Sequence, residues 1–211
     1  MKDFIKNNAM TIEWTLGVLA VILPAAAWLS GPQGGELTLY DIFPPLGLAA
    51  FGLMWTHFVM GALRRYAGIE KEERGAYMIV SMGVVLALIL LHPGLLWLAL
   101  FLDGYGLPPL SYMEAYAPQL GFVALGTLGL TIFLAFELKR FFGKKEWWKY
   151  VEYAQVIGMA AIFVHAIGLG RELRLDWFML VWIFYGVTLA LSIIYSRWIY
   201  NEKEETNARK V

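Results

Sequence analysis

The sequence contains no cysteine, which excludes disulfide frameworks, thiolate-held zinc and iron–sulfur clusters. Charge is scarce as well: 16% of the 211 residues are Asp, Glu, Lys or Arg, against about a quarter in an ordinary soluble domain. Seventeen Lys and Arg balance seventeen Asp and Glu, so no excess of either sign draws the chain toward nucleic acid. No G-x-G-x-x-G or P-loop pattern occurs, which argues against a nucleotide-binding domain on this chain. Internal repeats and low-complexity tracts are not evident. Histidine occurs only three times.

What the chain has instead is apolar length. Hydrophobic residues make up 59% of it and the mean hydropathy is +0.58. Six apolar runs stand out, at about 12–30, 43–63, 76–102, 119–138, 150–170 and 177–199, each near the roughly 20 residues a transmembrane helix needs. The expected fold is all-α, a single six-helix integral membrane bundle over residues 1–211. The first run is too long and too rich in tryptophan for a signal-peptide core, so it is read as a retained span. Gly31-Pro32-Gln33-Gly34-Gly35 marks a turn after it. Asp103-Gly104-Tyr105-Gly106 and Pro108-Pro109 end the third run ahead of a short segment around Ser111–Tyr116.

The cations fix an orientation. Lys2 and Lys6 precede span one, Arg64, Arg65, Lys71 and Arg74 follow span two, and Lys139, Arg140, Lys144, Lys145 and Lys149 follow span four. Arg197, Lys203, Arg209 and Lys210 follow span six. Only Arg171 and Arg174 fall on the opposite side. By the positive-inside rule both termini are cytoplasmic and the chain is a multi-pass protein of the cell membrane. Trp14, Trp28, Trp147, Trp148, Trp177 and Trp198 lie near span ends, as an interfacial aromatic belt does.

All three histidines fall inside spans, where an ionisable side chain is costly and therefore a functional candidate. His92 is eighteen residues from Arg74 and His165 sixteen from Lys149, depths of about 27 Å and about 24 Å along a helix. Both belong to the outer half of a core roughly 30 Å thick. Spans three and five run in the same direction, so these two imidazoles lie level. A haem iron wants two axial nitrogens at one level, and the porphyrin supplies the other four. The competing reading is that each histidine hydrogen-bonds a carbonyl or hydroxyl and ligates nothing. His57, seven residues from Arg64, lies about 10 Å inside the cytoplasmic boundary. It could serve an inner cofactor, hydrogen-bond a quinone or flavin, or simply bond within span two. Pro93, directly after His92, should kink span three. Arg171 and Arg174 could pair with anionic haem propionates, or with Glu172 and Asp176 nearby.

Leu91-His92-Pro93, Trp148-Lys149-Tyr150-Val151-Glu152, Val164-His165, and Gly47 through Arg64-Arg65-Tyr66-Ala67 together resemble the ferric reductase-like transmembrane domain superfamily. That superfamily includes NADPH oxidases, STEAP metalloreductases and the haem-binding membrane subunit of the bacterial methionine sulfoxide reductase system. The resemblance covers spans two to five well. It implies paired histidines about 14 and 13 residues apart on spans three and five, holding two stacked haems. Here those inner positions are Met78 and Glu152, so the outer pair, His92 and His165, is kept alone. One haem b on the outer side is implied, with a flavin or quinone near the cytoplasmic loops Arg64–Arg74 and Lys139–Lys149.

The expected function is therefore a b-type membrane electron-transfer protein. Its donor would be a separate reductase or a quinol, and its acceptor would lie on the outer side. Two alternatives stand beside it: a non-redox membrane scaffold, and a quinone-binding anchor for a peripheral oxidoreductase that uses His57. Membrane lipid is the one partner common to all three.

Overall fold

The computed structural model describes residues 1–31, 36–69, 75–137 and 148–199. Among these the chain is helical throughout, with no strand. The principal helices are α1 (Lys2–Ser30), α2 (Leu39–Ala67), α3 (Ala76–Leu102), the short α4 (Leu110–Ala115), α5 (Leu120–Glu137), α6 (Trp148–Leu169) and α7 (Asp176–Ile194). Short 3-10 turns at Ala117–Gln119 and Arg171–Arg174 lead into α5 and α7. The basic segments that carry Lys71, Arg74, Lys139, Arg140, Lys144, Lys145, Lys203, Arg209 and Lys210 lie outside the described residues, as do Trp147 and residues 32–35.

Among the described residues five helices, α1, α2, α3, α5 and α7, are long and apolar enough to cross a membrane. The described apolar stretch of α6, Tyr153–Leu169, is shorter. Large apolar side chains such as Ile22, Val84, Leu180 and Phe184 stand exposed on these helices. An exterior of that kind suits lipid and would be a liability in water.

Local chemistry explains the helix ends. Thr38 and Asp41 close a capping box at the start of α2: the Asp41 carboxylate accepts from Thr38 N at 3.0 Å and from Thr38 Oγ1 at 2.7 Å. Gly68, with φ of 66°, ends the same helix in the left-handed conformation that glycine adopts without strain. Pro45 has no N–H to give the Asp41 carbonyl, and Trp28 Nε1 on α1 takes that acceptor at 2.8 Å. The helical assignment of α3 runs uninterrupted through Pro93 to Leu102.

The central helix is α2, which packs against α1, α3 and α7. Its Phe51 packs at a tilt on the fully buried Trp182 of α7, ring centroids 4.5 Å apart, and its Trp55 donates to Thr188 Oγ1 at 2.8 Å. The α5–α6 hairpin forms a second packed pair. Between that hairpin and the α2–α3 pair lies a large cavity.

Candidate functional site

Two helical hairpins build the walls of this cavity, and each brings a histidine to it in the same way. On α2, Phe43-Pro44-Pro45-Leu46-Gly47 faces His92 of α3; on α5, Phe122-Val123-Ala124-Leu125-Gly126 faces His165 of α6. His92 Nδ1 lies 2.8 Å from the Phe43 carbonyl, and His165 Nδ1 lies 2.7 Å from the Phe122 carbonyl. A carbonyl oxygen has no proton to give, so both Nδ1 atoms are the donors. Each ring is thereby fixed as the tautomer whose Nε2 is unprotonated and carries a free lone pair.

One turn beyond each phenylalanine, a glycine makes room for the ring. A Cβ added at Gly47 would stand 2.7 Å from His92 Cε1, and one added at Gly126 would stand 2.5 Å from His165 Cε1. Any side chain there would overlap the imidazole. The two Phe-x-x-Leu-Gly segments thus act as matched cradles: a carbonyl that orients the histidine and, four residues on, a gap that admits it.

The two imidazoles stand with ring centroids 6.3 Å apart and planes at 85°. With a metal–imidazole bond of about 2 Å, rings bound on opposite sides of one ion have centroids roughly 6 Å apart. The spacing therefore suits one ion between them. Both histidines line a single cavity of about 750 Å³, within the range of cofactor sites. It extends along α5 from Leu120 to Phe133, about 20 Å at helical rise. Most of its wall is aliphatic or aromatic. One end is formed by Pro108, Pro109, Tyr112 and Tyr116 from the connection between α3 and α5.

Two imidazoles do not complete a zinc or copper site. Among the described residues no group of three or more metal-ligating side chains could hold a bare ion. A tetrapyrrole iron is different, since the macrocycle supplies four in-plane nitrogens and asks the protein for two axial ones. The donor set and the apolar slot together fit such a group.

His57 is not brought to this cavity. Its Nε2 lies 2.8 Å from Ser81 Oγ on α3, within a separate polar cluster that joins α1, α2 and α3. In the same cluster Thr56 Oγ1 and Tyr77 OH are 2.5 Å apart, Tyr77 packs against Gly17, and Arg64 pairs with the buried Glu13 at 2.8 Å. Met78 contributes its carbonyl to Ser81 Oγ at 3.3 Å. Glu13, on α1, was not singled out from the sequence, although a lone carboxylate beside an apolar run was a signal for it.

Arg171 takes the local alternative in part. Its guanidinium pairs with Glu172 at 3.1 Å and, 130 residues away in sequence, with Asp41 at 2.5 Å. Glu172 is fully buried, and its second carboxylate oxygen has no partner among the described residues. Arg174 is exposed on the same turn and does not line the cavity; among the described residues no ion pair to it is found.

Compared with protein-family models, with curated proteins and with solved structures, the chain matches none.

Proposed function

We propose that this chain is a single-haem b-type cytochrome of the cell membrane, moving electrons between a cytoplasmic-side donor and an outer-side acceptor. The observation that carries the reading is the pair His92 and His165, 6.3 Å apart across one apolar cavity, each with Nδ1 committed to a backbone carbonyl. Haem b supplies reversible one-electron chemistry when bound between two such nitrogens. The protein's share is positional. The Phe43 and Phe122 carbonyls hold both rings in the ligating tautomer and raise their basicity through Nδ1. The aliphatic wall excludes water and sets a low dielectric, which together with axial ligation tunes the potential. Neutral imidazoles avoid placing a charge in the bilayer core.

The donor is a membrane quinol or a separate flavin reductase, since the sequence shows no phosphate-binding loop of its own. An inner flavin or quinone would lie near Arg64 and Arg65, beside the cluster that holds His57.

Six spans with both termini cytoplasmic fit this function. At 22 residues α6 is about 33 Å long, enough for a hydrocarbon core of roughly 30 Å. The cation asymmetry supports an outer position for Arg171, Arg174 and α4. A reporter inserted at Gly106 is expected on the outer side of the membrane; a cytoplasmic signal there would overturn this topology.

The decisive measurement on the cofactor is a dithionite-reduced minus oxidised spectrum of the purified protein with pyridine haemochrome quantitation. One haem b per chain is expected. A chain without a Soret band would be the non-redox scaffold instead. Two haems would mean that Met78, Glu152 or His57 serves an inner iron.

A further inference from the structure

A haem b carries two carboxylates, and in an apolar slot each needs a hydrogen-bond donor or a path to water. The donors on this cavity wall can be counted. Trp182 Nε1 points to the Phe163 carbonyl at 3.4 Å, and Thr127 Oγ1 donates to the Val123 carbonyl at 3.0 Å. Both histidines have given their Nδ1 protons to carbonyls. Trp97 Nε1 donates to the Tyr112 hydroxyl.

Two protons remain. Because Tyr112 OH accepts from Trp97, its own hydrogen is uncommitted. No hydrogen bond is found to Tyr116 OH among the described residues. Both residues line the cavity at the end formed by the α3–α5 connection, whereas the opposite end, around Met54, Ile89, Leu130 and Phe133, offers no side-chain donor. Burial pushes both phenols above the ordinary tyrosine range, the Trp97 contact offsetting this in part at Tyr112 and the neighbouring Tyr112 adding to it at Tyr116. Both therefore stay protonated donors throughout the physiological pH range.

The cations expected from the sequence to meet these carboxylates are badly placed for it. Arg171 stands between the carboxylates of Asp41 and Glu172, so that cluster carries a net negative charge and would repel a further anion. Arg174 is not on the wall.

We propose that Tyr112 and Tyr116 bind the two carboxylates of the haem, and so orient it with its acidic edge toward the α3–α5 connection and its apolar edge toward the bilayer midplane. This rests on the haem reading above. It makes α4, which would otherwise be only a short surface helix, the element that sets the orientation of the cofactor and holds its acidic edge near the outer surface.

The test compares haem b with its dimethyl ester, which has the same ring and iron but no acidic groups. The full-length protein in detergent is loaded with either form, and transfer to excess apomyoglobin is followed at the Soret band. Wild-type protein is expected to lose the ester on the order of tenfold faster than the free acid, since hydrogen bonds to charged groups are the stronger ones. Tyr112→Phe and Tyr116→Phe are each expected to speed loss of the free acid by roughly threefold and to leave loss of the ester unchanged. Equal loss of both forms from wild type would overturn the proposal without any variant. So would a double Phe variant that speeds loss of both forms by the same factor, which would mean a packing role only, or an Arg174→Gln variant that alone abolishes the difference between them. In each of those cases a retained low-spin spectrum leaves the two-histidine reading standing. Failure of wild type to take up either form removes that reading and this one together.

Discussion

Replacing His92 or His165 with alanine is expected to abolish the six-coordinate low-spin haem spectrum, leaving a high-spin species or no haem. Each substitution removes the one imidazole nitrogen that its hairpin presents to the cavity, and the wall holds no third histidine: its other polar side chains are Trp97, Trp182, Tyr112, Tyr116 and Thr127, beside the thioethers of Met54 and Met113. Iron bound by one imidazole is left with an open position, and the remaining bond must hold the group alone. The loss should exceed the 10–100-fold that changes to supporting residues typically cost a metal site. Free imidazole added to a His92→Gly variant should restore the low-spin form, which separates a lost ligand from a collapsed fold. His57→Ala should leave the spectrum intact, because His57 is hydrogen-bonded to Ser81 and lies off the cavity wall. The near-perpendicular ring planes, 85° apart, carry a further expectation. Rings held at that angle on one iron would leave the two orbitals that interact with their π systems nearly equal in energy, so the ferric protein should give a strongly anisotropic low-spin EPR signal. Full low-spin haem in both His92→Ala and His165→Ala would overturn the assignment.

The helices were legible because their signal is local. An apolar run of sufficient length makes a helix in lipid whatever surrounds it, and both ends of α2 and α3, the start of α5 and the end of α6 fall within a few residues of the runs that announce them. The first helix starts about ten residues early, at Lys2, because its polar first turns are helical without being apolar. Equal depth of His92 and His165 could be counted along the chain, since helical rise converts sequence into distance. What could not be counted is azimuth. Nothing local says that α2 rather than another helix stands behind His92, so the acceptor at Phe43 and the gap at Gly47 were invisible. A backbone carbonyl also has no side-chain signature, which hides the second anchor at Phe122. The one available cue was the repeated Phe-x-x-Leu-Gly at Phe43–Gly47 and Phe122–Gly126, too short to stand out in apolar sequence. Arg171 illustrates the same limit. Its neighbour Glu172 was in plain view, but Asp41 lies 130 residues away, and only the packed bundle brings the two together.

Those two glycines give the second large expectation. Gly47→Ala and Gly126→Ala should each weaken haem binding by 10–100-fold, the range seen when an outer-shell partner of a metal ligand is disturbed. A methyl group at Gly126 would lie 2.5 Å from both Cε1 and Nδ1 of His165; at Gly47 it would lie 2.7 Å and 2.8 Å from the same atoms of His92. Neither ring can simply retreat, because its Nδ1 is held by the carbonyl one turn before the glycine. Moving the ring clear of the methyl group lengthens that hydrogen bond, releases the tautomer and shifts the ring from its place 6.3 Å from the opposite imidazole. Gly126 should be the more sensitive position, since its contact is the closer. The sign of the effect distinguishes this from ordinary helix energetics. Alanine in place of a mid-helix glycine normally stabilises by about 0.5–1 kcal/mol, and Gly83→Ala, where nothing lies within 4 Å of the added carbon, should behave in that way. The informative comparison is therefore haem retention set beside thermal unfolding for all three variants in the same detergent. Gly83→Ala should keep its haem and unfold slightly later, while Gly47→Ala and Gly126→Ala should remain helical and lose haem. If Gly126→Ala keeps wild-type haem affinity while His165→Ala loses it, the ring has room that the structure denies it, and the cradle is not what positions the ligand.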